Sequence, residues 1–217
     1  MSHFINLGLP HMIRRARLAA DACAKGDWRG VDAIIYSAFA VEAFTNDFAT
    51  IASKDKEQPG CTVTAAGLAM QAAEDERLQT MDKIVKLFET LAGRRPDKGA
   101  APLQDLSLLL TLRSVIVHTK PDEVVFVEGR QQREISITRL LERLDAAGAV
   151  VSPNLRLLSD WRYMLDQSPA VAVWSVNTAR AVVVWIREAC PDSNLKSKWL
   201  VAMTGPGSSM YDSFNQT

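Results

Sequence analysis

The chain has 217 residues, 47% hydrophobic and 23% charged, and its 25 Lys and Arg residues balance 25 Asp and Glu residues. This length suits one globular core, and the zero net charge gives no general attraction for a polyanion or an acidic membrane. The three cysteines, Cys23, Cys61 and Cys190, lack the spacing of a zinc site or a disulfide framework. We therefore expect a reduced, cytoplasmic protein with one domain over residues 1–200 and no metal or cofactor.

No membrane segment is predicted. The longest apolar runs, residues 170–176 and 179–186, are shorter than the roughly 20 residues of a membrane-spanning helix. The N-terminal residues also lack the unbroken apolar core of an export signal.

Helical periodicity dominates the first 120 residues. Gly26 ends the first helix, a charged Pro-Gly loop over 53–64 ends the second, and Gly and Pro residues over 93–102 end the third. The second helix repeats its apolar residues at three- and four-residue steps and is expected to be mostly buried. Helices are predicted over residues 12–25, 28–53, 65–91 and 103–118.

The pattern changes after Pro121. β-branched residues flank a Glu-Gly pair in residues 124–137 and predict a short β-hairpin. Ser136 suits the N-cap of a helix over 136–148, which Gly148 ends.

The C-terminal third contains the most apolar predicted helix. Residues 169–190 are apolar nearly all round, which is typical of a helix inside a bundle. Residues 201–217 are small and polar and predict a weakly packed tail. The tryptophans are expected in the core rather than as stacking platforms for bases. They are Trp28, Trp161, Trp174, Trp185 and Trp199.

Arg113 and His118 stand near the end of the fourth predicted helix. Five residues place them about 140° apart around an ideal helix and roughly 7.5 Å apart along it, so they do not share one narrow face. They converge if the final turn loosens before Pro121, or if the helix faces its own copy in a two-fold dimer. Cationic side chains near a helix C-terminus also complement its dipole, so capping alone explains both residues.

Glu42 and Asn46 form a second polar pair, four residues apart in a largely apolar helix. One interpretation is structural: buried polar groups need partners, so Glu42 pairs with a buried Arg or a helix terminus and Asn46 with the backbone. The other is that Glu42 orients Arg113 or His118.

Residues 30–190 resemble the HEPN superfamily of all-helical bacterial proteins. The hallmark of that superfamily is an Arg followed, after four to six residues, by a His near the end of a helix, and here four residues separate Arg113 from His118. Two further features look like this group: Glu42-Ala43-Phe44 with Asn46 in the second helix, and Lys120-Pro121 just after the fourth helix. The segments that carry the resemblance are 33–49, 103–121 and 168–186.

The resemblance implies an all-α bundle of four or five core helices that forms a two-fold dimer with the motifs at its interface. Many members are metal-independent ribonucleases. In this chain, the resemblance implies that His118 would exchange protons and that Arg113 would hold the phosphate. Ser114 departs from the family, whose active members most often have Asn, Asp or His directly after the Arg.

Three hypotheses follow. The first is a dimeric endoribonuclease of toxin or phage-defence type that uses Arg113, His118 and Ser114, with Glu42 and Asn46 in support. The second is a catalytically silent HEPN-like module that binds a nucleotide, a nucleic acid or a partner protein, and a cognate antitoxin or nucleotidyltransferase would be such a partner. The third is a structural bundle in which Arg113 and His118 only cap a helix.

Overall fold

The computed structural model describes residues 8–53, 61–97, 99–118, 126–127, 130–149 and 161–193. These residues are all-α, which confirms the predicted class. The helices are α1 (Gly8–Ala24), α2 (Gly30–Ala52), α3 (Thr62–Asp75), α4 (Thr80–Ala92), α5 (Ala101–His118), α6 (Gln132–Ala146), α7 (Trp161–Asp166) and α8 (Pro169–Ala189).

Two strands of two residues each lie between α5 and α6, within the segment where a hairpin was predicted. Strand β1 (Phe126–Val127) pairs antiparallel with β2 (Arg130–Gln131), and Phe126 stands opposite Gln131.

The chain forms two compact units, each assembled from separate stretches. Unit 1 contains Met1–Arg14, Phe39–Gln104 and Ala179–Thr217, and unit 2 contains Arg15–Ala38 and Asp105–Thr178. Helices α1, α2, α5 and α8 each contribute residues to both units. The single domain over residues 1–200 stays a prediction.

Aromatic side chains from α2, α4 and α8 make much of the core of unit 1. Phe44 and Phe48 are buried and meet edge to face, with ring centroids 6.2 Å apart. Phe88 of α4 stacks on Trp185 of α8 at 4.1 Å. Helices α3 and α4 pack against each other. The burial of large apolar rings is the main stabilising term for such a core.

The core of unit 2 is mainly aliphatic, and three leucines of α5 belong to it. Leu108, Leu109 and Leu112 are at most 3% exposed. A smaller cluster of Ala19, Ala20, Cys23, Ala33 and Ala172 lets α1, α2 and α8 approach closely. The larger cluster also includes Ile34, Ala38, Leu144, Ala149, Met164, Leu165, Val171 and Trp174.

Three sequence-based expectations need correction. The predicted helix over 65–91 is two helices, because Arg77 adopts a left-handed backbone (φ 55°) between α3 and α4. Helix α6 begins at Gln132, so Ser136 lies inside it and is not its N-cap. Gln, Arg and Glu favour helix, and these residue types extend α6 back to β2.

The third correction concerns Trp28, which is 55% exposed although the tryptophans were expected in the core. Trp174 is buried, as expected. Trp199, Pro121 and the predicted tail over 201–217 lie outside the described residues.

In the described part of the chain, only α8 is long and apolar enough to cross a membrane. Half of its most apolar window is buried in the protein, and the core helix of a soluble protein has the same length and composition. The absence of a membrane-spanning segment stays a prediction.

Candidate functional site

The last two turns of α5 hold the Arg113 and His118 motif. The leucine-rich sequence of this helix buries one side in the core of unit 2, and Ile116 packs against the same core. This packing fixes which side chains of the last turns face solvent.

The exposed residues at the end of α5 are Ser114, Val117 and His118, and Val117 is 47% exposed. Residues three and four apart are neighbours on a helix surface, so these three lie together on one side. We call this set the α5 end face. Arg113 is half-buried at its margin.

Within one chain, α5 does not bring Arg113 and His118 onto a common face. The helix is regular through His118, so the five-residue step separates the two Cα directions by about 140°. Ser114 and His118 differ by only about 40°. The loosening of the final helical turn before Pro121, which would let the two side chains converge, would have to begin after His118. Residues 119–125 lie outside the described part of the chain.

Glu42 and Asn46 are exposed on α2, so the need of buried polar groups for partners does not apply to them. Both residues belong to unit 1, whereas Arg113 and His118 belong to unit 2. Their support of the α5 residues therefore stays a prediction.

Asp47 is a buried carboxylate that the sequence-based reasoning missed. It is 9% exposed, and its carboxylate accepts the backbone N–H groups of Leu9 (2.9 Å) and Gly8 (3.1 Å) at the start of α1. Burial raises the pKa of Asp47, and the two N–H donors oppose that rise. The sequence did contain a signal, because Asp47 follows Phe44 by three residues and so lies on the apolar side of α2.

No group of three or more His, Cys, Asp or Glu side chains comes together to hold a metal ion among the described residues.

Comparison with protein-family models, with curated proteins and with solved structures gives no match for this chain.

Proposed function

We propose that this protein is a metal-independent endoribonuclease of HEPN type, with an all-α bundle of four or five core helices and an active site at the α5 end face. The observation that carries the proposal is the exposure of His118 and Ser114 on one side of the end of a helix, with Arg113 at the margin. A histidine in this position is open to a substrate and can act as a proton donor or acceptor.

The residue types fit transesterification of RNA. The ribose 2′-hydroxyl oxygen attacks the adjacent phosphorus, the bond from phosphorus to the 5′ oxygen breaks, and a 2′,3′-cyclic phosphate and a 5′-hydroxyl remain. His118 takes the proton of the 2′-hydroxyl or gives a proton to the leaving oxygen. Arg113 holds the phosphate oxygens as charge develops on them, and the Ser114 hydroxyl donates a further hydrogen bond.

A second copy of the chain would complete this site. Arg113 and His118 point about 140° apart on one helix, so one phosphate is contacted more easily by Arg113 of one copy and His118 of the other. The exposed apolar side chain of Val117 lies between Arg113 and the two polar residues of the α5 end face around the helix, and it would be covered in such a homodimer.

The shared site can be tested by mixing two inactive variants. Arg113→Ala and His118→Ala should each lose RNA cleavage, and their heterodimer should recover one intact site out of two. Mixing after mild unfolding and refolding should restore up to about half of the wild-type rate per active dimer. If each variant is inactive and the mixture stays inactive although heterodimers form, the site is not shared between copies.

The second candidate is a catalytically silent HEPN-like module that binds a nucleotide, a nucleic acid or a partner protein. The half-burial of Arg113 favours it, because a side chain held against the core has less freedom to reach a substrate. Binding of labelled RNA or ATP that is weakened by His118→Ala, without product formation, would support this function.

The biological setting that we propose is the cytoplasm, with a toxin or phage-defence role. A cognate antitoxin or nucleotidyltransferase would then control the activity. Co-purification of the protein with the products of neighbouring genes, followed by RNA cleavage assays with and without each product, tests this setting.

A further inference from the structure

The loop between α1 and α2 presents an exposed tryptophan in unit 2. Trp28 is 55% exposed, and its ring meets the ring of Tyr163 on α7 edge to face, with centroids 4.5 Å apart and planes at 72°. The remaining π surface of the indole is open to solvent and to partners.

Hydrogen bonds hold this loop to the end of α1 and hold both flanking helices to Asp166 at the end of α7. The N–H of Asp27 donates to the carbonyl of Ala22 (3.0 Å), and the Cys23 thiol donates to the carbonyl of Asp166 (3.4 Å). The Asp166 carboxylate accepts the N–H of Val31 at the start of α2 (3.2 Å). A rigid surface loses little conformational entropy when a partner binds, which favours binding.

The charges around Trp28 are mainly negative. Arg29 pairs with Asp32 at 2.7 Å, and the hydrogen bond and charge of Asp32 raise the pKa of Arg29, with further contributions from Asp27 and Asp166. Three carboxylates thus act on one guanidinium. With Lys25, the loop and its neighbours Asp32 and Asp166 carry three carboxylates and two cations, a net charge of −1. Such a surface attracts a cation and repels a polyanion.

We propose that Trp28, Tyr163, Asp27, Asp32 and Asp166 form a docking surface for an Arg or Lys side chain of a partner protein. A cation over an indole face gains electrostatic energy from the ring, and nearby carboxylates add to this attraction. A protein partner is favoured over a small molecule because Trp28 is more than half exposed, whereas small-molecule sites enclose most of their ligand. This docking surface is independent of the proposed RNA cleavage.

The test follows the indole N–H signal of Trp28 in spectra of the ¹⁵N-labelled full chain, assigned with Trp28→Phe. The probes are the peptide acetyl-Gly-Arg-Gly-amide, its uncharged counterpart with norleucine in place of Arg, tetramethylammonium and oligouridine. We expect a saturable shift with the arginine peptide and none with the norleucine peptide. Asp27→Asn should weaken binding about threefold to fivefold, because it removes one exposed charge near the ligand.

Leu68→Ala is the matched control, since Leu68 is 54% exposed on α3 of unit 1 and its truncation should leave the peptide affinity unchanged. The proposal is overturned if the arginine and norleucine peptides shift the Trp28 signal equally, or if neither shifts it. It is also overturned if oligouridine or tetramethylammonium shifts the signal and the arginine peptide does not. None of these binding results supports or contradicts the proposed RNA cleavage.

Discussion

Asp47 links the start of α1 to α2, and its removal should destabilise the fold measurably. The first N–H groups of a helix have no partner within the helix, and the Asp47 carboxylate accepts those of Gly8 and Leu9. A negative charge there also complements the helix dipole. Asp47→Ala would leave both donors without this acceptor.

The expected loss follows from the burial of each bond. The hydrogen bond from the N–H of Leu9 is buried, and that from the N–H of Gly8 is half-buried. In Asp47→Ala, water can therefore replace the carboxylate more easily at Gly8 than at Leu9. A buried donor without a partner costs about 1–3 kcal/mol. The unfavourable burial of the charged carboxylate offsets part of this loss, so we expect Asp47→Ala to lower the free energy of unfolding by about 2 kcal/mol. For a chain of this length the midpoint of thermal unfolding should fall by roughly 4–8 °C.

Urea unfolding of the wild type, Asp47→Ala and Asp75→Asn measures this effect. Asp75 is exposed on α3, so its substitution should change the free energy of unfolding by less than about 0.5 kcal/mol. Amide hydrogen exchange at Leu9 should become faster in Asp47→Ala. An unchanged free energy of unfolding together with unchanged exchange at Leu9 would refute the capping role.

The raised pKa of Asp47 also predicts a pH dependence. The folded chain binds this proton more tightly than the unfolded chain, so the stability contributed by Asp47 is greatest below its ordinary pKa of 3.8. The contribution falls as the pH rises through the raised pKa. The difference in free energy of unfolding between the wild type and Asp47→Asn should therefore shrink with rising pH in a urea series, and a difference that grows would contradict the assignment.

Three further substitutions test a close contact and an ion pair in unit 1. Gly67→Ala should destabilise the protein by about 1–3 kcal/mol in thermal unfolding, because a Cβ at this position would lie 2.4 Å from the backbone nitrogen of Ser53. Alanine stabilises an open helix relative to glycine, so a stabilised variant would refute this close contact. Lys83 is buried and pairs with the exposed Glu74, so Glu74→Gln should destabilise more than Lys83→Met in urea unfolding. If Lys83→Met destabilises the protein more than Glu74→Gln does, the ion pair is not needed to compensate the burial of the Lys83 charge.

The long helices were predictable because each has its periodicity within one continuous segment. The helix expected over 28–53 is α2, and that expected over 103–118 is α5. The break between α3 and α4 was not predictable in this way, since Arg77 has a left-handed backbone without a glycine or proline to signal it. Such a turn is stabilised by the packing of the two helices, which the local sequence does not reveal.

The sequence predicted the helix that carries the candidate site but not the exposure of its side chains. The sequence placed Arg113 and His118 near the end of a helix, and both residues lie in the last turns of α5 that the structure describes. Side-chain exposure depends on which neighbours pack against the helix, so the half-burial of Arg113 and the exposure of Glu42 and Asn46 required the structure. The exposure of Trp28 was missed for the same reason.

The most direct measurement of the proposed reaction compares His118→Ala with His11→Ala, since both histidines are exposed on helices. Each purified variant and the wild type would be incubated with mixed cellular RNA in EDTA, and the product ends would be identified. We predict cleavage with 2′,3′-cyclic phosphate ends by the wild type and by His11→Ala, and none by His118→Ala. Equal cleavage by all three proteins, or intact RNA with all three, would contradict an active site at His118.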